Sequence, residues 1–162
     1  RRLRRAPRSP ADAVAAGVAG VLLVDLPPEE ADEFRQAFEP AGLALVMLAS
    51  PTTSPERAAM LSAGAQGYLY YVGYAGVTGT DRLDTRAAGD RLQALRAEAR
   101  VPVVAGFGIK DAASAAAMAA DADGVVVGSA LVAALAEAVD AHDAVRRAAG
   151  FLAPLREALD RV

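Results

Sequence analysis

The sequence predicts an α/β fold in which successive βα units lay down a parallel sheet, either closed as a barrel or left open. Three observations predict it. Five short apolar runs rich in valine and leucine start near residues 20, 44, 67, 102 and 123, and strands of a parallel sheet, buried on both faces, read as such continuous runs. Each run is followed by a helix-compatible segment and no pair of runs carries a hairpin signal, so right-handed crossovers join them. The chain has 162 residues, enough for one domain with its own core but short of the roughly 250 that a closed eight-stranded α/β barrel usually takes.

Composition narrows the chemistry. With 17 basic and 20 acidic residues the net charge is −3, which gives nucleic acid no global attraction. The absence of cysteine removes disulfides, a thiol nucleophile and a cysteine metal site. One histidine, His142, cannot build a histidine-rich metal centre, so no metal is expected and carboxylates are the acid–base groups to look for. No apolar run reaches the roughly 18 residues of a membrane span, and the expected compartment is the cytoplasm.

Residues 1–10 carry Arg1, Arg2, Arg4, Arg5 and Arg8 and no initiator methionine. They read as a basic solvated tail or the result of where the chain was cut, with residues 11–162 as the domain. Ser9, Pro10, Asp12 and Gly17 cap, open, charge and end a short helix. A strand over residues 21–24 leads to Asp25, and Pro27 and Pro28 then launch a helix over 28–38 that Pro40 and Gly42 end. After a strand over 44–48, Ser54 caps, Pro55 opens and Gly64 closes the next helix, with Glu56 and Arg57 on a solvated face.

The strand over 67–72 puts Tyr68 and Tyr70 on one face and Tyr71 on the other. A long loop rich in glycine and threonine follows, which reads as a lid or as disorder, and a helix over 86–100 leads to a strand over 101–105. The last strand, 124–127, precedes helices over 130–139 and about 144–159, with His142 in the linker between them.

Two strand ends stand out. Gly106 and Gly108 flank Phe107, and Gly128 is followed by Ser129 where a helix begins. Glycine lets a backbone approach a ligand closely, and the first N–H groups of a helix lack internal partners and welcome an anion. The two turns read either as a shared phosphate cradle or as tight turns alone. Asp25, at another C-terminal strand end, reads either as a ligand-facing group or as a cap of the turn after it.

The ordered motifs VDLPPEE, PTTSPER, GYLYYVGYAGVTGT, VPVVAGFGI and DGVVVGSA, over roughly residues 12–140, resemble the tryptophan synthase α chain family. The resemblance implies a partial TIM (β/α)8 barrel, strands four to eight, of about five parallel βα units plus a C-terminal helix. It implies a lyase of tryptophan biosynthesis that cleaves indole-3-glycerol phosphate to indole and glyceraldehyde 3-phosphate by a retro-aldol reaction. The partner implied is a β chain, assembled as α2β2, which carries pyridoxal phosphate and receives the indole through a tunnel; no cofactor is implied in this chain. By likeness to the family the substrate phosphate rests on Gly79, Phe107, Gly108, Gly128 and Ser129, Tyr70 lies beside the substrate, and Asp25 and Thr78 pair near the β-chain interface. Gly73 and Tyr74 depart from the serine and the basic or polar residue common in the family. The family's catalytic Glu and Asp belong to the first barrel strand and the loop after the second, outside the resemblance, so this chain alone is expected to be inactive. Two other readings stand beside the lyase: a non-catalytic subunit that binds and regulates a β chain, and another phosphate-binding barrel isomerase or epimerase.

Overall fold

The computed structural model describes residues 9–73 and 85–162. Helix α1 (Pro10–Ala15) starts at Ser9, whose hydroxyl accepts from the Asp12 N–H, and Gly17 (φ 86°) turns the chain after it. Strand β1 (Gly20–Leu22) leads through a 3-10 turn at Pro28–Glu30 into α2 (Ala31–Phe38). After α2 a further 3-10 turn, Glu39–Ala41, holds Pro40 and carries the chain to Gly42 in the left-handed region, where the helical run ends. Alternation then continues through β2 (Ala44–Ala49), α3 (Pro55–Gly64), β3 (Leu69–Tyr71), α4 (Thr85–Glu98), β4 (Val103–Ala105), α5 (Ala112–Ala119) and β5 (Gly124–Val125), with α6 (Ser129–Ala136) and α7 (Ala141–Leu159) last.

All four strand pairs are parallel and the order is β1-β2-β3-β4-β5, so each strand lies beside its neighbours in sequence. In-register residues of a parallel sheet point to the same face. One face carries Leu45, Met47 and Ala49 of β2, Leu69 and Tyr71 of β3, and Val103 and Ala105 of β4. These pack against Ala31, Leu61, Leu92 and Leu95 of the helices, and Leu45, Leu69 and Val103 are each 0% exposed. The other face carries the in-register row Leu48, Tyr70, Val104 and Gly124, which is only half-buried. A smaller cluster joins Ile109, Ala115 and Leu155, with Val125 and Phe151 against it, and ties α7 to α5 and β5.

Side chains also close the starts of strands. Gln66 accepts from the Leu45 N–H (2.9 Å), and its amide donates to Glu39 (2.6 Å). Asp123 accepts from the Val103 N–H (2.8 Å) and pairs with Arg96 of α4 (2.7 Å). Each satisfies a backbone donor that the ladder leaves over at a buried residue, where an unmet donor would cost about 1–3 kcal/mol.

Several expectations need correction. The strands are shorter than the apolar runs: β5 spans two residues, and the last bond to β4 runs from the Val126 N–H to the Ala105 carbonyl (2.8 Å). Glu56 and Arg57 are exposed as expected, and the Arg57 guanidinium in addition holds Glu29 through two bonds (3.0 and 3.2 Å), linking α3 to the turn after β1. His142 lies in no linker. Asp140 caps α7 by accepting from the Asp143 N–H (2.8 Å), so His142 sits exposed in the first turn of that helix. The basic residues 1–8 lie outside the described residues.

Asp143 anchors the start of α7. It is buried, and it accepts from Arg146 (2.6 Å), from Arg147 (2.9 Å) and from the Val139 N–H (3.2 Å). Arg147, then Arg146, hold its carboxyl below the usual carboxylate range, and the Ser114 bonds do the same for Asp111. A depressed native pKa means that the unfolded chain binds the proton more readily, so this stability is present above the unfolded carboxylate pKa and disappears as pH falls through the native one. The melting temperature is expected to drop between about pH 5 and pH 2, and Asp143→Asn to lower it at pH 6 while flattening that drop. Melts of the two proteins across this range check it; parallel curves would show that Asp143 does not contribute.

Candidate functional site

Parallel strands present their C-terminal ends on one side, so the turns after β4 and β5 are neighbours, one inter-strand spacing of roughly 4.8 Å apart at the sheet. The turn after β4 holds Gly106, Phe107 and Gly108. Gly106 is glycine for a steric reason: a Cβ there would stand 2.1 Å from the Tyr70 hydroxyl oxygen and 2.4 Å from a ring carbon of the same residue. Tyr70 therefore lies flat against the Gly106 backbone, and its hydroxyl donates to the Gly106 carbonyl over a long 3.4 Å. Burial, and then the neighbouring Tyr68, push the Tyr70 pKa up, so at neutral pH the group is a donor. Gly108 sits at φ 66°, in the left-handed region that a side chain resists.

Phe107 is held in the same way. A Cβ on Gly73 would lie 2.4 Å from its ring, and Tyr71 meets that ring edge-on with centroids 6.0 Å apart. Gly73, expected as a departure from the family pattern, is thus the space into which Phe107 packs.

At the next strand end, α6 begins at Ser129 with Gly128 as its cap residue and no side chain satisfying the first turn. Its opening turn carries no acidic residue, and the Val132 N–H is the donor that reaches back to the Gly128 carbonyl (3.0 Å). Cβ positions at Gly108 and Gly128 meet nothing within 4 Å, and Gly108, Gly128 and Ser129 are exposed. The arrangement is two open backbone turns side by side, one of them a helix N-terminus with unfilled donors. Such a surface favours an anion through the N–H groups and the helix dipole.

The structure thus brings Tyr70, Phe107, Gly108, Gly128 and Ser129 to one end of the sheet. Asp25 lies at that end too, exposed in the turn after β1 and three strands away from β4. Thr78, Gly79, Tyr74 and Asp81 lie outside the described residues. What the sequence reading missed is the pairing of each aromatic ring with a glycine, Tyr70 with Gly106 and Phe107 with Gly73. The available signal was a bulky ring on one strand and a glycine at the end of the same or next strand. Among the described residues no three His, Asp or Glu side chains gather as a metal site, and no helix is long and apolar enough to cross a membrane.

The profile of the family described as tryptophan synthase alpha chain matches residues 8–159. A tryptophan synthase alpha chain from Xylella fastidiosa (strain 9a5c) is 71% identical over 150 residues, which cover 93% of this chain and 56% of that protein. The crystal structure of tryptophan synthase subunit alpha from Legionella pneumophila str. Paris superposes with a TM-score of 0.80 at 39% identity, over 94% of this chain and 56% of that one. A chain from the tryptophan synthase α2β2 complex of Pyrococcus furiosus gives a TM-score of 0.78 at 33% identity, over 91% of this chain and 59% of its own. The chain spans little more than half the length of the relatives it matches, and its five parallel βα units with the C-terminal helix are part of a TIM barrel.

The fit between Tyr70 and Gly106 has a measurable consequence. Gly106→Ala is expected to destabilise the fold by about 1–3 kcal/mol, the usual cost of overpacking, because a tyrosine ring cannot bend away as a flexible chain would. Adding Tyr70→Leu should return part of that loss. Urea melts of the two single variants and the double variant give the coupling; strictly additive effects would mean that the two residues do not meet.

Proposed function

The chain belongs to the tryptophan synthase alpha chain family, and from that premise we propose that it contributes the phosphate-binding half of a carbon–carbon lyase acting on indole-3-glycerol phosphate. The observation that carries the reading is the open pair of turns, residues 106–108 and 128–129, on adjacent strand ends. The phosphate rests on the N–H groups of Gly108, Gly128 and Ser129, with Phe107 and Gly79 completing the cradle. The dipole of α6 faces the anion there. Tyr70, whose pKa burial pushes further up, lies beside the substrate and limits the water that reaches it. Asp25 and Thr78 support the loop that meets a partner.

In the proposed retro-aldol reaction the bond between the indole ring carbon and the glycerol side chain breaks. A base takes the proton of the adjacent hydroxyl, which becomes the aldehyde of glyceraldehyde 3-phosphate, and an acid returns a proton to the indole carbon. General acid–base groups of this kind are worth about 10² to 10⁴-fold. The carboxylates that do this work belong to the part of the family's length that this chain does not span, and the role of the residues here is to hold the phosphate and so fix the substrate. The proposed partner is a β chain that carries the pyridoxal phosphate, in an α2β2 assembly in the cytoplasm. This chain works without a cofactor or metal of its own, and a net charge of −3 suits neither nucleic acid nor an anionic membrane. The identity of 71% to an alpha chain supports this reading over an unrelated phosphate-binding isomerase.

Ser129→Asp is expected to abolish binding of glycerol 3-phosphate, because it sets a carboxylate where the anion sits. Calorimetric titration of the full-length protein and the variant tests it, and equal affinities would remove the phosphate assignment. The 162-residue chain by itself is expected to release no measurable indole from indole-3-glycerol phosphate. Turnover at the level of a full-length relative would put the acid–base work on residues of this chain, such as Asp25 or Asp81.

A further inference from the structure

We propose that a cavity on the helix-covered side of the sheet, separate from the glycine turns, is a binding site for a small organic carboxylate with an apolar body. The cavity is an open cleft of about 460 Å³ between the loop after β2, the start of α3 and one face of α4, within the range of roughly 300–1,000 Å³ typical of small-molecule sites. Its walls are mixed in a way that sets an orientation. Ala58, Ala94 and Leu95 are apolar, whereas Ser50, Thr52 and Thr53 bring hydroxyls that already bond one another (Ser50 to Thr52 at 3.0 Å, Ser50 to Thr53 at 3.3 Å). Hydroxyls of that kind rotate to donate to an incoming acceptor.

Charge decides which end takes an anion. Arg91 and Glu98 line the cavity from the same face of α4, seven residues and therefore about 10 Å apart along the helix axis. Arg91 pairs with no carboxylate among the described residues. It donates one N–H to the Pro51 carbonyl, which holds the guanidinium beside the Ser50–Thr53 loop and leaves its other donors for a planar, two-oxygen acceptor. The start of α3, with Ser54 as its cap, lines the same end and adds the positive pole of a helix. Glu98 repels an anion from the opposite end. The carboxylate therefore lies between Arg91 and the loop hydroxyls, and the apolar body points along Ala94 and Leu95.

Tyr71 brings an unmet polar atom to this region. Its side chain forms part of the cavity wall and is 1% exposed, yet its hydroxyl has no hydrogen-bond partner among the described residues. A buried hydroxyl without a partner carries a desolvation cost, which an acceptor removes once the ring shifts to bring the hydroxyl to the cavity. The same ring touches Phe107, so an occupant would press on a residue that shapes the glycine turn after β4.

Benzoate, with benzyl alcohol as its uncharged counterpart, tests the site in the full-length protein by titration followed through backbone amide signals. Benzoate is expected to saturate, to shift the amides of residues 50–54 and 91–98, and to bind at least about tenfold more tightly than benzyl alcohol. Arg91→Met should weaken benzoate by about tenfold or more while leaving benzyl alcohol unchanged. Arg91→Gln, which keeps a donor for the Pro51 carbonyl, should give the same loss if the first variant folds poorly. Ala94→Phe, which fills the space, should remove binding of both without altering the amides of Gly108 and Ser129. The proposal is overturned by a lack of saturation, by benzoate affinity that is indifferent to Arg91, or by shifts confined to residues 106–108 and 128–129, which would place the anion in the phosphate cradle instead.

Discussion

Burial of one sheet face under the helices is the constraint on which the rest of the structure depends. Leu45, Leu69 and Val103 occupy successive strands, are sealed from solvent and meet Leu61, Leu92 and Leu95 across the layer. Side chains alternate across a strand, so a slip of one residue would turn this apolar set outward and bring Leu48, Tyr70 and Val104 under the helices. With the register set by burial, the C-terminal ends of the strands come level. The turn carrying Gly106 and the turn carrying Gly128 then stand side by side without any contact that exists only to align them.

Within that frame the site is shaped by what glycine omits. Tyr70 occupies the volume that a side chain on Gly106 would need, and Phe107 occupies the volume denied to residue 73. Two rings therefore pack where a chain with Cβ atoms would have to move apart. Gly108 and Gly128 differ in kind, since the space beside them is open. Their lack of a side chain leaves backbone donors uncovered, which is a property of a surface rather than of a core. One residue type thus does two jobs within two adjacent turns, and only coordinates distinguish them.

Much of the fold was legible because its signals are local. Ser9 before Pro10 and Ser54 before Pro55 each mark a helix start through a side-chain bond to the first turn. The alternation of strand and helix, and hence the parallel sheet, followed from runs of five or six residues. What was not legible belonged to pairs of elements. Strand length is such a property: residues 126 and 127 are as apolar as 125, but the ladder with β4 ends at the bond from the Val126 N–H to the Ala105 carbonyl. The bond from Arg57 to Glu29 spans two motifs that nothing in the sequence connects. The start of α7 was misplaced for another reason, because alanine-rich sequence on both sides of Asp140 hid a cap that the spacing of Asp140 and Asp143 would have shown. The anionic cradle could be read as a pattern of glycines, whereas the Arg91 cavity could not, since its walls come from a loop and two helices that meet only when folded.

The order of the strands has a bearing on how the chain reaches this state. Every strand pairs only with those adjacent to it in sequence, and the widest gap, between Leu69 and Val103, is a single connection. Closing such a loop costs little more entropy than closing a shorter one, because the penalty grows only logarithmically with length. A nascent chain can therefore add one βα unit at a time, each new strand docking on an edge that its predecessor has just exposed, as the ribosome releases it. The same arrangement keeps one strand edge unpaired throughout synthesis, so the interval between one unit and the next is the period in which a chaperone has something to hold.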